Sequence, residues 1–193
     1  MNQNKSALSG RTRSILIAAA CVLACAVIVL AIVLIVPHGS SAERKEYESI
    51  AAYNEAHGTD YIVPAIPSQT AELYTDRQTY VYRAGWSDLL LQMQFNYSGN
   101  GCSYYIQPDK EEDLAAREGF TFLAEYGDLD KSWTVSLPES SGDTTFRYRK
   151  VGGRFLTKVE TEDAIYYLSV DSEGQEGIFT TVTTAVFHDL IAQ

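Results

Sequence analysis

The side chains that could act as bases or nucleophiles are few in this sequence. Three histidines are present, His38, His57 and His188, and a histidine-dependent mechanism would need one of them beside a nucleophile. Neither a Gly-x-Ser-x-Gly elbow nor a Ser-x-x-Lys pair occurs. Cys102 shares an alternating strand pattern with Tyr104, which predicts a buried thiol. The sequence therefore indicates no catalytic residue.

Acidic residues are the other group that could bind a ligand. Asp128 with Asp130, and Asp171 with Glu173, fall in predicted turns and could hold calcium weakly, because carboxylates accept its loose geometry. Neither pair continues into an EF-hand loop, so solvated turn acids are the better interpretation. No zinc spacing and no glycine-rich phosphate loop occurs, so we expect no metal and no cofactor. Four further acids open a short predicted helix, whose dipole favours negative charge: Asp109, Glu111, Glu112 and Asp113.

Alternation of apolar and polar residues predicts the elements that would position these side chains. Residues 89–97 alternate, a turn follows at 98–101, and Cys102, Tyr104 and Ile106 continue the pattern, which indicates a hairpin with one buried face. Gly152-Gly153 suits a second hairpin turn. The further predicted strands are 79–83, 120–126, 132–137, 144–151, 154–160 and 164–170.

Two helices are predicted beside the strands. Ser40 followed by Glu43 forms a capping-box pattern, which favours a stalk helix over about 41–57 that ends at Gly58. Apolar residues from Ile178 to Leu190 recur with a period near 3.6 and predict a C-terminal helix. The fold class is α+β, in which a mostly antiparallel sheet of six to eight strands is covered by the stalk helix and the C-terminal helix.

Residues 15–36 are a run of 22 apolar residues, which is long enough for a helix to cross a bilayer. Arg11 and Arg13 precede the run directly, so the positive-inside rule places the N-terminus in the cytoplasm. Two alternatives are cleavage of a signal peptide after Ala42 and lipidation at Cys25. The length of the run favours an uncleaved single-pass anchor in the cell membrane.

The residues after Ala42 are strongly acidic and contain one cysteine. All 25 acidic residues and 12 of the 15 basic residues follow Ala42, so this part carries a net charge of about −13. Such a charge repels nucleic acid, which excludes it as a partner. An extracellular domain with one cysteine has no internal disulfide, which favours a bacterial envelope. The predicted organisation is a cytoplasmic tail at 1–14, a transmembrane helix at 15–36, a linker and stalk helix at 37–60, and an extracytoplasmic α+β domain at 61–193.

Three short segments carry a weak resemblance to a known class. They are Val63-Pro64-Ala65-Ile66-Pro67, Tyr104-Tyr105-Ile106-Gln107 and Tyr166-Tyr167-Leu168-Ser169-Val170, the last before a final helix. In this order they resemble uncharacterised extracytoplasmic domains of bacterial single-pass membrane proteins, some of them anti-sigma-factor-like or sensory. The resemblance implies a binding or sensing role at the envelope.

The functional expectation is a non-enzymatic module that binds or senses at the cell envelope. Its expected partners are membrane lipid, through residues 15–36, and a protein of the envelope. One alternative is an envelope hydrolase that acts on peptide or glycan, which would require His57 or His188 to meet an acid and a hydroxyl or thiol in a cleft. A second is a pilin-like subunit, although Gly10 is followed by Arg11 and not by the hydrophobic start of pilins.

Overall fold

The computed structural model describes residues 42–64, 79–84 and 87–192. The predicted tail at 1–14, the predicted span at 15–36 and the first part of the linker lie outside these residues. So does the Ala65-Ile66-Pro67 part of the resemblance. Among the described residues, no helix has the length and apolar character that a membrane crossing requires.

Eight strands in the described ranges form one sheet, and every neighbouring pair is antiparallel. The order across the sheet is β1-β2-β3-β4-β8-β7-β6-β5. The sheet therefore consists of two four-stranded meanders that meet where β4 pairs with β8. The strands are β1 Glu43–Tyr47, β2 Thr79–Ala84, β3 Ser87–Tyr97, β4 Asn100–Gln107, β5 Lys131–Val135, β6 Thr144–Val151, β7 Arg154–Glu160 and β8 Ile165–Asp171. This confirms the predicted fold class at the level of a mostly antiparallel sheet with a few helices.

The β3–β4 hairpin forms where alternation predicted it. Its turn contains only Ser98 and Gly99, both with positive φ (50° and 82°), and Tyr97 pairs with Asn100. Two consecutive positive φ angles match the right-handed twist of the flanking strands, which is the usual geometry of a two-residue hairpin. Leu91, Met93 and Phe95 of β3 then fall on one face, where Met93 lies opposite Tyr104, whereas Leu89 and Leu90 are buried in a second apolar cluster.

One face of the sheet is covered by helices. Helix α1 is Ile50–His57, α2 is Glu176–Val186 and α3 is His188–Ile191. Ile50 and Tyr53 of α1 pack in the same core as Phe179 and Val182 of α2, together with the apolar residues of the central strands. The predicted C-terminal helix is thus present, and its apolar stripe is held against the sheet by burial.

The other face is covered by the connection between β4 and β5. This connection contains two 3₁₀ helices, Leu114–Ala116 and Thr121–Tyr126. The prediction of a strand at 120–126 is therefore wrong. Phe120, Leu123 and Tyr126 recur every third residue, which matches the three-residue turn of a 3₁₀ helix, and all three are buried against this face.

The prediction of a continuous stalk helix over 41–57 is wrong in its first half. Glu43–Tyr47 is an edge strand that pairs with β2, with Lys45 opposite Val81. Helix α1 begins later because Ser49 is its N-cap, and the Ser49 hydroxyl accepts a hydrogen bond from the Ala52 amide at 3.0 Å. The domain in the structure therefore includes residues that the sequence assigned to the linker at 37–60.

Candidate functional site

The sheet is interrupted between β6 and β7. These two strands pair only from Tyr148 opposite Thr157 to Val151 opposite Arg154. Beyond Tyr148 the strand β6 continues along β5, and beyond Thr157 the strand β7 continues along β8. We call the resulting gap, bounded by residues 144–147 and 158–160, the β6–β7 split.

We call residues 144–147 and residues 158–160 the two lips of the split. Their backbone N–H and C=O groups lack ladder partners across the gap. In the described residues, 144–147 pairs only with β5, and 158–160 pairs only with β8. At the point where the strands part, the Thr157 hydroxyl donates to the carbonyl oxygen of Arg147 at 2.7 Å. Unpaired N–H and C=O groups on a strand edge are the usual template for another extended chain.

A cavity of about 390 Å³ opens into the split. It is lined by both lips, by Gly127 and Leu129 from the β4–β5 connection, and by Leu190 of α3. The space therefore reaches from the connection on one side of the sheet to the helices on the other. Apolar residues such as Phe146 and Val159 give it a partly apolar wall, which is typical of sites that bind organic ligands.

Two further cavities meet the first one at Gly127. One has a volume of about 560 Å³ and is lined by residues 127–130 together with Arg147 and Arg149. The other, of about 320 Å³, is lined by Lys158, by residues 110–115 and by the end of the second 3₁₀ helix. All three cavities have Gly127 in their walls, so they adjoin one another along the connection and the split, and we refer to them together as the groove.

Buried polar contacts hold the connection that forms the wall of this groove. The amide of Gln107, which is 2% exposed, donates to the carbonyl oxygens of Asp109 at 2.6 Å and Glu112 at 2.7 Å. Its carbonyl oxygen accepts a hydrogen bond from the Tyr167 hydroxyl at 2.8 Å. Burial, followed by the charges of two acidic residues nearby, raises the pKa of Tyr167 to about 12. Tyr167 therefore stays protonated and remains a donor at physiological pH.

Charged side chains surround the groove. Arg147 donates through Nη2 to the carbonyl oxygen of Leu129 at 2.6 Å, and Lys158 stands on the opposite lip. Arg149 follows Arg147 on the same face of β6, because side chains two residues apart in a strand point the same way. This groove is the candidate binding site, and its geometry suits an extended chain with polar groups.

His57 belongs to a different cluster, between α1 and the β2–β3 hairpin. Its ring stacks on Tyr53 with centroids 4.2 Å apart, and its Nε2 lies 3.2 Å from Nη2 of Arg83. Asp88 forms an ion pair with Arg83 and accepts a hydrogen bond from the Tyr53 hydroxyl at 2.5 Å. The hydroxyl of Tyr47 lies 3.4 Å from the same Nε2. The sequence placed His57 at a helix end but gave no sign of these partners.

The electrostatics of this cluster favour a charged Asp88. Burial alone would raise the pKa of Asp88, but hydrogen bonds from Arg83 and Tyr53 outweigh it and lower the pKa below its ordinary value. Burial and the adjacent carboxylate raise the pKa of Tyr53, so its hydroxyl stays a donor. The arrangement stabilises the attachment of α1 to the hairpin.

The other candidate catalytic residues lie apart from one another. His188 is on the surface, where Nδ1 lies 3.3 Å from Asp189 and Nε2 lies 3.2 Å from Glu139, and these contacts raise its pKa. Cys102 is 4% exposed, and burial raises the pKa of its thiol to about 12, so it is almost entirely protonated at neutral pH. His38 lies outside the described residues.

Several of the acidic residues that the sequence pointed to line two of the cavities, with Glu111, Glu112 and Asp113 at the 320 Å³ cavity. Glu112 forms an ion pair with Arg117 at 2.6 Å, and the side chain of Asp109 accepts from the Glu111 amide at 3.0 Å. Asp128 and Asp130 line the 560 Å³ cavity. Over the ranges 42–64, 79–84 and 87–192, no group of three or more His, Cys, Asp or Glu side chains could hold a metal ion.

Sequence reasoning missed the split because both of its strands were predicted at full length. No local pattern in the sequence marks where the two strands part, because the separation depends on their pairing with β5 and β8. No family model, curated protein or solved structure matches this chain.

Proposed function

We propose that this protein is a non-enzymatic binding or sensing module of the bacterial cell envelope, anchored in the membrane by residues 15–36. Its proposed task is to recognise a protein partner on the outer side of the membrane. The observation that supports this most is the β6–β7 split, where residues 144–147 and 158–160 have no ladder partner across the gap and border a cavity. An extended segment of the partner would dock there through main-chain hydrogen bonds.

The geometry around His57 supports a role without catalysis for this residue. A general base needs a free lone pair directed at a substrate or a nucleophile. The Nδ1 atom of His57 lies 3.1 Å from the carbonyl oxygen of Tyr53, and its Nε2 faces the Arg83 guanidinium. Asp88 accepts hydrogen bonds from Arg83 and Tyr53 and not from His57. Among the described residues, His57 therefore has no carboxylate that orients it as a base toward a nucleophile. This arrangement gives the hydrolase alternative no support.

Site-specific photocrosslinking of the full chain in intact cells tests the proposed docking site. A photoreactive amino acid replaces Thr145 on one lip of the split, and the matched control replaces Thr181, which is also exposed but lies on α2. We expect a discrete crosslinked protein from position 145 and none from position 181. Equal products from both positions, or none from either, would contradict docking at the split.

The membrane topology is tested separately. Single cysteines at Thr181 and at Asn4, in a chain without the native cysteines, are exposed to a membrane-impermeant maleimide on intact cells. We expect labelling at position 181 only, because the proposal places the domain outside the cell and residue 4 in the cytoplasm. Labelling restricted to position 4 would overturn the outward orientation.

A further inference from the structure

The two lips of the split carry cations that face the same cavity. Arg147 is on one lip and Lys158 is on the other, and both line the 390 Å³ cavity. Each is the first residue beyond the last β6–β7 pair, Tyr148 with Thr157, so both project from the same face of the sheet. Like charges placed opposite each other on neighbouring strands are destabilising. An anion placed between them would attract both cations and so offset their mutual repulsion.

Neither cation has a carboxylate partner within the described parts of the chain. The ion pairs there involve Arg83, Arg117, Arg154 and His188. Arg147 uses one guanidinium N–H for the Leu129 carbonyl oxygen and retains its other donors. Lys158 is half-buried, and its ammonium group makes no hydrogen bond to a described residue, although its backbone pairs with Tyr167 of β8. Arg147 is exposed, so the cost of holding a charge without a counter-ion falls on the half-buried Lys158. An unpaired cation is unexpected in a chain whose net charge is −10.

The positive charge is concentrated at the split and not along the whole groove. In the 560 Å³ cavity Arg147 and Arg149 face Asp128 and Asp130, so the formal charges balance. In the 390 Å³ cavity Arg147 and Lys158 face Glu160, and both Arg147 and Glu160 are exposed. Lys158 also lines the 320 Å³ cavity, where Glu111, Glu112 and Asp113 outnumber Lys110 and Lys158. The excess of positive charge is therefore confined to the 390 Å³ cavity, and no described carboxylate forms an ion pair with either of its cations. An anionic group would therefore bind between the lips.

We infer that a carboxylate of the docked segment lies between Arg147 and Lys158, so that the partner presents an acidic polypeptide segment. This inference rests on the proposed function and specifies the chemistry of its ligand. Main-chain bonds to the lips would position the segment, and the two cations would select an acidic side chain or a terminal carboxylate. Steering by these cations would also offset the repulsion that an acidic segment meets from the rest of the domain.

Fluorescence anisotropy with short labelled peptides tests this inference on the full chain in non-ionic detergent micelles. The probes are fluorescein-labelled tetraglutamate and its neutral counterpart, tetraglutamine. The variant Lys158→Gln removes one cation of the split. The matched control Arg154→Gln removes a cation of the same strand and face, which is paired with Glu125 at 3.1 Å and lies outside the three cavities.

We expect tetraglutamate to bind at least tenfold more tightly than tetraglutamine. Lys158→Gln should weaken tetraglutamate binding about tenfold, which corresponds to one charge-assisted hydrogen bond. Arg154→Gln should change it less than twofold, and Lys158→Arg should restore most of the affinity. Circular dichroism of each variant shows that the fold is retained.

Equal affinity for the two peptides, or equal losses in Lys158→Gln and Arg154→Gln, would overturn the inference. If tetraglutamate fails to bind while crosslinking from position 145 persists, only the acidic nature of the partner is wrong. If both fail, the proposed function fails with it.

Discussion

The hydrogen bond between Tyr53 and Asp88 offers a quantitative test of how α1 is attached to the sheet. The substitution Tyr53→Phe removes the hydroxyl and keeps the ring that stacks on His57 at 4.2 Å. The hydroxyl donates to Asp88 at 2.5 Å, and the Asp88 side chain is only 13% exposed, so water cannot readily replace the donor. Asp88 retains its ion pair with Arg83 in the variant.

The expected loss in the free energy of unfolding follows from the negative charge of the Asp88 carboxylate that accepts the hydrogen bond. A hydrogen bond to a charged group contributes about 1.5–3 kcal/mol to the free energy of unfolding. For a chain of this length that loss lowers the melting temperature by about 3–12 °C. The control is Tyr47→Phe, whose hydroxyl makes only a long, exposed contact of 3.4 Å to His57, and we expect it to cost less than about 0.5 kcal/mol.

The pH dependence provides a second check of the same bond. The pKa of Asp88 is lowered in the folded protein, so its ionisation stabilises the fold above the unfolded pKa of about 3.9, and this stability is lost as the pH falls through the folded pKa. Tyr53→Phe removes one cause of the lowering. The difference in the free energy of unfolding between wild type and Tyr53→Phe should therefore be largest at pH 7 and should become smaller below about pH 4.

Urea unfolding of the full chain in detergent, followed by circular dichroism at pH 7 and pH 3, measures both quantities. If Tyr53→Phe lowered the free energy of unfolding by less than about 0.5 kcal/mol at pH 7, the reasoning would be refuted. Equal costs for Tyr53→Phe and Tyr47→Phe, or a difference that does not change with pH, would also refute it.

Three further predictions concern the sheet and its core. Gly152→Ala should lower the free energy of unfolding by about 1–2 kcal/mol, because Gly152 has a φ of 62°; Gly153→Ala should cost less, since its φ is not left-handed and an added Cβ meets only ordinary contacts at 3.5 Å. Phe179→Ala should cost about 3–5 kcal/mol in urea unfolding, because Phe179 is fully buried and stacks on Phe155 at 5.0 Å. Cys102, in a chain without the other two cysteines, should react with a soluble disulfide reagent at pH 8 at least tenfold more slowly when folded than in urea, since burial raises the pKa of its thiol to about 12.

Each of these predictions has a clear contrary result. Equal losses for the two glycine variants would show that backbone strain does not govern the β6–β7 turn. A loss below 1 kcal/mol for Phe179→Ala would mean that α2 contributes little to the core. Rapid labelling of folded Cys102 would show that the thiol is accessible and would reopen its assignment as a buried hydrophobic residue.

Local patterns in the sequence determined the elements whose partners lie nearby. The β3–β4 hairpin was predictable because the alternation of 89–97 and the Ser98-Gly99 turn both act within a few residues. The C-terminal helix was predictable because one apolar stripe has to face the sheet. The apolar run at 15–36 and the acidic charge of the remainder are also properties of the sequence alone.

Tertiary structure decided the elements whose conformation depends on distant partners. Glu43–Tyr47 has a composition that also suits a helix, and it is a strand because β2 supplies its hydrogen-bond partners. Residues 120–126 pair with no strand in the described part of the chain, and their apolar side chains are buried against the face of the sheet in a 3₁₀ helix.

The split depends on tertiary structure for the same reason. Residues 144–147 pair only with β5 and residues 158–160 pair only with β8, although each strand is regular along its own length. Arg147 and Lys158 are 11 positions apart in the sequence and belong to different predicted strands. The sequence by itself determined where cations, strands and the apolar run occur. Only the pairing of the strands decided that two of those cations border one cavity, because register is a property of the whole sheet.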